Sequence, residues 1–101
     1  MKIVHLIDQH MPPIKISGGC PRAIDRLCVE QHRQGEQVFV ISKQGHSTDY
    51  FKHIVLKDAP TLTDLKNSAP SGVDIIVYHG GYSMIEKELE TLQIPVVSRM
   101  H

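Results

Sequence analysis

The stretch KIVHLIDQHMPPIKISGGCPRAI, running from Lys2 to Ile24, decides how this chain folds. Lys2 to Ile7 is an almost continuous apolar run that starts close to the N-terminus. Without polar alternation, such a run predicts a strand buried on both faces, as in a parallel sheet. Asp8 to Gly19 (DQHMPPIKISGG) contains two prolines and two glycines, the strongest punctuation in the sequence, and predicts a loop. Pro21 then suits the first turn of a helix, where its missing N–H costs nothing.

Working outward, that helix is predicted to run to about Gln34. Ala23, Ile24, Leu27, Cys28 and Gln31 fall on one side of it, and Arg22, Arg26, Glu30 and Arg33 on the other. Arg26 and Glu30 stand at the spacing of an i,i+4 ion pair. Gly35 is placed to end the helix in a left-handed conformation. Gln37 to Ser42 (QVFVIS) predicts a second buried strand, and Ile54 to Leu56 a short third one. Thr61 to Asn67 predicts a short helix, opened by a capping box between Thr61 and Asp64. Ser68 to Gly72 predicts a turn, and Asp74 to Tyr78 (DIIVY) another buried strand. Ser83 and Glu86 spell a second capping box, which predicts a helix from there to about Gln93 with Ile85, Leu89 and Leu92 on one side. Ile94 to Arg99 predicts the last strand, with Pro95 tolerated at its start.

Strands alternate with helices throughout. The expected fold is therefore α/β: a three-layer, Rossmann-like half domain with right-handed crossovers. Its parallel sheet of about five strands should have the order 3-2-1-4-5. The 101 residues suit one domain with one core.

Composition narrows the function. Lysine plus arginine balance aspartate plus glutamate at 11 each, so no global basic field draws nucleic acid. Hydrophobic residues make up 41% and charged residues 22%, as in a folded globular domain. No apolar run approaches the ~20 residues that span a bilayer, and no signal-peptide pattern follows Lys2, so the cytosol is the expected compartment. Cys20 and Cys28, eight residues apart on one predicted helix, would lie ~12 Å apart along its axis, too far for a disulfide. No histidine or cysteine shows metal-ligand spacing, and no metal is expected.

In open parallel sheets, ligands bind beyond the carboxyl ends of the strands, where the strand order reverses. That crevice should lie between the first strand and the Asp74 to Tyr78 strand. Gly18 and Gly19 precede a helix there. They read equally as a loop that lets a ligand approach the backbone and as a plain connector. The loop is neither GxGxxG nor GK[ST], which disfavours dinucleotide and P-loop readings. His79 ends a hydrophobic strand and precedes Gly80-Gly81, where an imidazole can bond a hydroxyl or a phosphate. His101 also ends a strand but is a terminal residue, so its position alone argues little. His10 lies in the first loop, within reach of a ligand. His5 reads as a core or sheet-face residue, and His32, His46 and His53 as surface positions.

In this order these residues resemble the N-terminal, acceptor-side domain of GT-B-fold glycosyltransferases, specifically the retaining group called family four. The resemblance rests on KIVHLI, on MPPIKISGG, and on Gly35-Glu36-Gln37-Val38 leading into the second strand. It rests also on Asp74-Ile75-Ile76-Val77-Tyr78-His79 and on Ile94-Pro95-Val96-Val97 closing at His101. It covers the whole chain. It implies transfer of a sugar from a nucleotide-sugar donor to a hydroxyl acceptor, with retention and with no cofactor beyond the donor. It implies that Gly18 and Gly19 lie against the donor, that His101 is catalytic and contacts the transferred sugar or the acceptor, and that His79 lines the acceptor side. It also implies a separate C-terminal domain to hold the nucleotide diphosphate. The 101-residue chain is accordingly expected to be a fragment and inactive on its own. Cys20, Pro21 and Arg22 depart from the pattern that usually follows Gly-Gly in that family.

Two readings from other classes stand beside it. A flavodoxin-like or receiver-like binding module would need clustered acidic residues at the first strand's end, where only Asp8 fits. An interaction protein could keep the fold without the chemistry. Open sheet edges favour self-association as a homo-oligomer.

Overall fold

The structure, a computed structural model, describes residues 1–99. Strand β1 (Lys2–Leu6) leads through the proline loop into helix α1 (Gly19–Arg33) and strand β2 (Gln37–Ser42). Strand β3 (Lys52–Val55), helix α2 (Leu62–Ser68) and strand β4 (Ile75–Tyr78) follow, then a 3-10 helix (Glu88–Thr91) and strand β5 (Val96–Ser98). All five strands join one sheet in the order β3-β2-β1-β4-β5, and every pairing is parallel. The fold is the Rossmann-like half domain that the alternation of strands and helices predicts.

Alternate residues along a strand face opposite sides of the sheet. Val4 and Leu6 of β1, with Ile76 and Tyr78 of β4, enter one apolar cluster with Ile41, Leu65, Ile85 and Leu89. α2 and the 3-10 helix supply its outer layer through Leu65 and Leu89. Val38 and Val40 of β2 face the other way, into a cluster with Ile7, Met11, Ile24, Cys28 and Phe51. α1 covers that side. Pro21, Ile24 and Cys28 are its buried residues, spaced as one stripe of a helix, and Gln31 continues the stripe. Each buried aliphatic side chain contributes about 1.5–3 kcal/mol.

Local signals account for the ends of α1 and α2. Gly35 has φ +85. Its N–H bonds the His32 carbonyl and the Glu36 N–H bonds the Gln31 carbonyl, a Schellman closure of α1. Asp64 N–H donates to Thr61 Oγ1 and Thr61 N–H donates to Asp64, so the predicted capping box of α2 forms. The backbone hydrogen bond from Thr61 holds the Asp64 carboxyl below its usual range, and Lys57 adds to the effect.

Three expectations are corrected. The second capping box, Ser83 with Glu86, does not open an α-helix: residues 84–87 are turns and only Glu88–Thr91 is helical, as 3-10. Ile85 and Leu89 are buried against the sheet all the same. The chain from Gly81 needs just a few turns to seat those two anchors before β5, and the tight 3-10 form suits so short a connection. The third strand begins at Lys52, two residues before the predicted Ile54, because His53, Ile54 and Val55 pair with Val40, Ile41 and Ser42 of β2. The ion pair on α1 joins Glu30 to Arg33 at 3.8 Å rather than to Arg26, and both side chains are exposed.

Candidate functional site

The strand order reverses between β1 and β4, so the carboxyl rim at that junction is the place to build the site. His79 directly follows β4 there. Its N–H donates to the Leu6 carbonyl at 2.9 Å, which extends the β1–β4 ladder by one residue and fixes the backbone beneath the ring. His79 is 8% exposed. Just past the end of β5, the Arg99 N–H bonds the Tyr78 carbonyl at 2.8 Å and brings Arg99 to the same rim. His79 and Arg99, with Ala23, Ile24 and Leu27 from the first turns of α1, line a cavity of about 250 Å³.

Beneath the cavity runs a chain of hydrogen bonds. His79 Nε2 lies 2.9 Å from His5 Nδ1, and the two rings are stacked. His5 Nε2 lies 2.8 Å from Gln31 Oε1. His5 is fully buried on β1, opposite Val77 in the register, and Gln31 comes down from the inward stripe of α1. Burial holds His5 below the ordinary histidine range, and the positive charge of Arg99 pushes the same way, against the Gln31 hydrogen bond. Burial and Arg99 thus favour the neutral imidazole.

Glycine plays opposite roles at the two Gly-Gly pairs. Gly80 and Gly81 have φ +93 and +96, and a Cβ at Gly81 would collide with the Asp8 side chain. That turn therefore needs glycine for the chain's own sake. Tyr82 locks it from below: its hydroxyl donates to the Ile7 carbonyl and its N–H donates to the Tyr78 hydroxyl. Gly18 caps α1 in extended backbone, and a Cβ added at Gly18 or Gly19 would meet nothing of the chain within 4 Å. Their backbone is open to approach from outside.

His10 sits elsewhere on the rim. Its Nδ1–H donates to the Pro12 carbonyl at 2.8 Å and its ring meets His46 edge-on. It lines a separate cavity of about 400 Å³ with Asp8, Lys43, Gln44, Lys57 and Asp58. Gly18 and Gly19 line neither this cavity nor that of His79. His101 lies outside the described residues. The structure therefore joins His79 to the start of α1 and leaves His10 in its own hollow beside the ends of β2 and β3.

Sequence reading missed His5 and Gln31 as site residues. The signal was present: one polar residue inside an apolar strand, and another on the buried stripe of a helix. His53 is half-buried rather than at the surface, because its Nε2 bonds Ser42 Oγ at 2.6 Å across the β2–β3 pair. Cys20 and Cys28 are free thiols, and burial pushes that of Cys28 up to about 12. Among the described residues, no group of three or more histidines, cysteines or acids is arranged to hold a metal ion. Among them too, no helix is long and apolar enough to cross a membrane. Comparison with protein-family models, curated proteins and solved structures gives no match.

Proposed function

We propose that this chain is the acceptor-side, Rossmann-like part of a retaining nucleotide-sugar glycosyltransferase of the GT-B kind, working in the cytoplasm. In this reading the sugar passes from a nucleotide-sugar donor to a hydroxyl acceptor. A second α/β domain holds the nucleotide diphosphate across the cleft. The observation that carries the reading is the position of His79. It is nearly buried at the strand-order reversal, under the first turns of the helix that Gly18 and Gly19 open.

The parts divide the work by their chemistry. Gly18 and Gly19 let a donor phosphate or sugar come close to the backbone at the start of α1, where N–H groups and the helix dipole favour oxygen and negative charge. His79, at the wall of the cavity, bonds a hydroxyl of the sugar or the acceptor. Arg99 adds positive charge on the same wall. His101 acts at the transferred sugar. His10 contacts substrate from the neighbouring hollow, where Lys43 and Lys57 also stand. No cofactor beyond the donor takes part.

Amide-resolved NMR titration of the chain with UDP- and GDP-sugars tests this. Binding is expected to be weak, with Gly18, Gly19 and His79 shifting first. A spectrum that ignores every nucleotide sugar overturns the reading, and favours a flavodoxin-like or purely interacting module instead.

A further inference from the structure

We infer that Arg22 and Arg26 of α1 form a binding site for a phosphate monoester, in a hollow between that helix, the proline loop and the chain that leads into β3. The inference stands apart from the glycosyltransferase reading, since none of the residues lining this hollow lines the cavity of His79 or that of His10.

The hollow has a volume of about 340 Å³ and is lined by Pro12, Pro13, Arg22, Asp25, Arg26 and Tyr50. Arg22 and Arg26 stand four residues apart on α1, so their side chains leave the same face one turn apart. Both are exposed. Among the described residues, no ion pair includes either of them. Glu30, the acid at the right spacing for Arg26, lies against Arg33 instead. Asp25 is the one carboxylate of the hollow, and the Tyr50 hydroxyl already donates to its Oδ1 at 2.7 Å. Burial, with Asp25 beside it, pushes the Tyr50 hydroxyl up to about 12, so this donor keeps its hydrogen at neutral pH.

The walls are set before any ligand arrives. Arg22 donates to the Ile14 carbonyl at 3.2 Å, which ties its guanidinium to the proline loop and leaves its remaining N–H groups for a ligand. Tyr50 is steadied by its bond to Asp25 and by edge-on contact with the buried ring of Phe51. Two guanidinium groups against one carboxylate give the hollow a net positive charge, which calls for an anion. Each planar fork takes two oxygens at a time. A carboxylate or a phosphodiester has only two charged oxygens and satisfies one fork. A phosphate monoester has three terminal oxygens and can meet both arginines together. Ile14 and Ile16 are exposed on the loop that Arg22 holds, Ile16 at 89%. The same phosphate chemistry is therefore open to a soluble ester and to a lipid headgroup, with the isoleucines entering the lipid in the second case.

Amide-resolved NMR of the chain, titrated with inorganic phosphate and with phenyl phosphate at constant ionic strength, tests the site. Saturable shifts are expected at Arg22, Arg26 and Tyr50, and sodium chloride should cause none there. Arg22→Gln and Arg26→Gln should each weaken phenyl phosphate about tenfold, through the loss of hydrogen bonds to a charged group. Arg26→Lys should recover only part of that affinity, because an ammonium keeps the charge and loses the fork. Both side chains are exposed, so the variants should stay folded, and unchanged amide shifts in the sheet report on that. Flotation with phosphatidylcholine vesicles, with and without phosphatidic acid, separates the two sources. Flotation that needs phosphatidic acid, both arginines and Ile16 assigns a lipid headgroup, and phosphate shifts without flotation assign a soluble ester. Nucleotide-sugar titration reads a different place, Gly18, Gly19 and His79, so either result can fail without the other. Absence of saturable phosphate shifts in wild type overturns the inference, whatever the vesicles do, and so does unchanged affinity in the two glutamine variants.

Discussion

On the α2 side of the sheet, β1 and β4 present Val4, Leu6, Ile76 and Tyr78, all buried in one apolar cluster. On the α1 side, the same stretch of chain presents His5, Val77 and His79, and the two imidazoles bond each other instead of packing against aliphatic groups. The backbone that carries both rows is shared, so the difference lies in the side chains and in how each face satisfies them. The first face gains stability from area removed from water and from close packing. The second keeps polar groups at burial, which is tolerable only because Gln31 completes the hydrogen bonds.

The largest expected effect tests the apolar face. Leu6→Ala should cost about 2–5 kcal/mol of unfolding free energy, read by urea denaturation, since Leu6 is fully buried among partners that cannot all close around the gap. The ring-nitrogen spectrum of His79 should be unchanged in that variant. Gln31→Leu tests the other face and should cost less, about 1–3 kcal/mol, from the buried N–H of His5 left without its acceptor. This second variant alone should disturb the His79 ring. Equal costs with equal disturbance in both variants would mean the two faces are one unit, and the comparison would fail.

The fold was legible in the sequence to a large degree, and the reasons are local. KIVHLI and DIIVY are short apolar runs without alternation, which a sheet covered on both sides demands. Gly35 and the Thr61–Asp64 pair mark helix ends through their own backbone needs, and both act as read. The Ser83–Glu86 pair misled because a capping box describes only how a helix begins. Whether one continues depends on tertiary packing, and here two anchors, Ile85 and Leu89, seat the connection without a full helix. The candidate site was legible in part. His79 could be found because a strand-end residue followed by Gly-Gly is exceptional in the linear pattern. His5 and Gln31 each stood out as a polar residue on a buried face, but their meeting with His79 did not, since they lie 74 and 48 positions away along the chain and come together only when β4 docks beside β1 under α1. Sequence spacing also could not show that Gly80-Gly81 serves the chain's own turn while Gly18-Gly19 does not.

The smallest effect is the dependence of stability on pH. The folded value of His5 lies below the 6.5 of an unperturbed histidine. Between the two values the unfolded chain binds more protons than the folded one. The contribution of a neutral His5 is therefore complete above 6.5 and is lost as pH falls through the folded value. Leu6→Ala should keep this dependence, whatever its overall loss of stability.

Direct titration of the His5 ring by NMR reaches the centre of the account, the neutral, buried and hydrogen-bonded imidazole on the α1 face. We expect His5 to be less than half protonated at pH 6.5, where an ordinary histidine is half protonated, and to reach half protonation only at lower pH. A His5 that is half protonated at 6.5 or above would contradict it, because burial would then not be holding the ring below the ordinary histidine range.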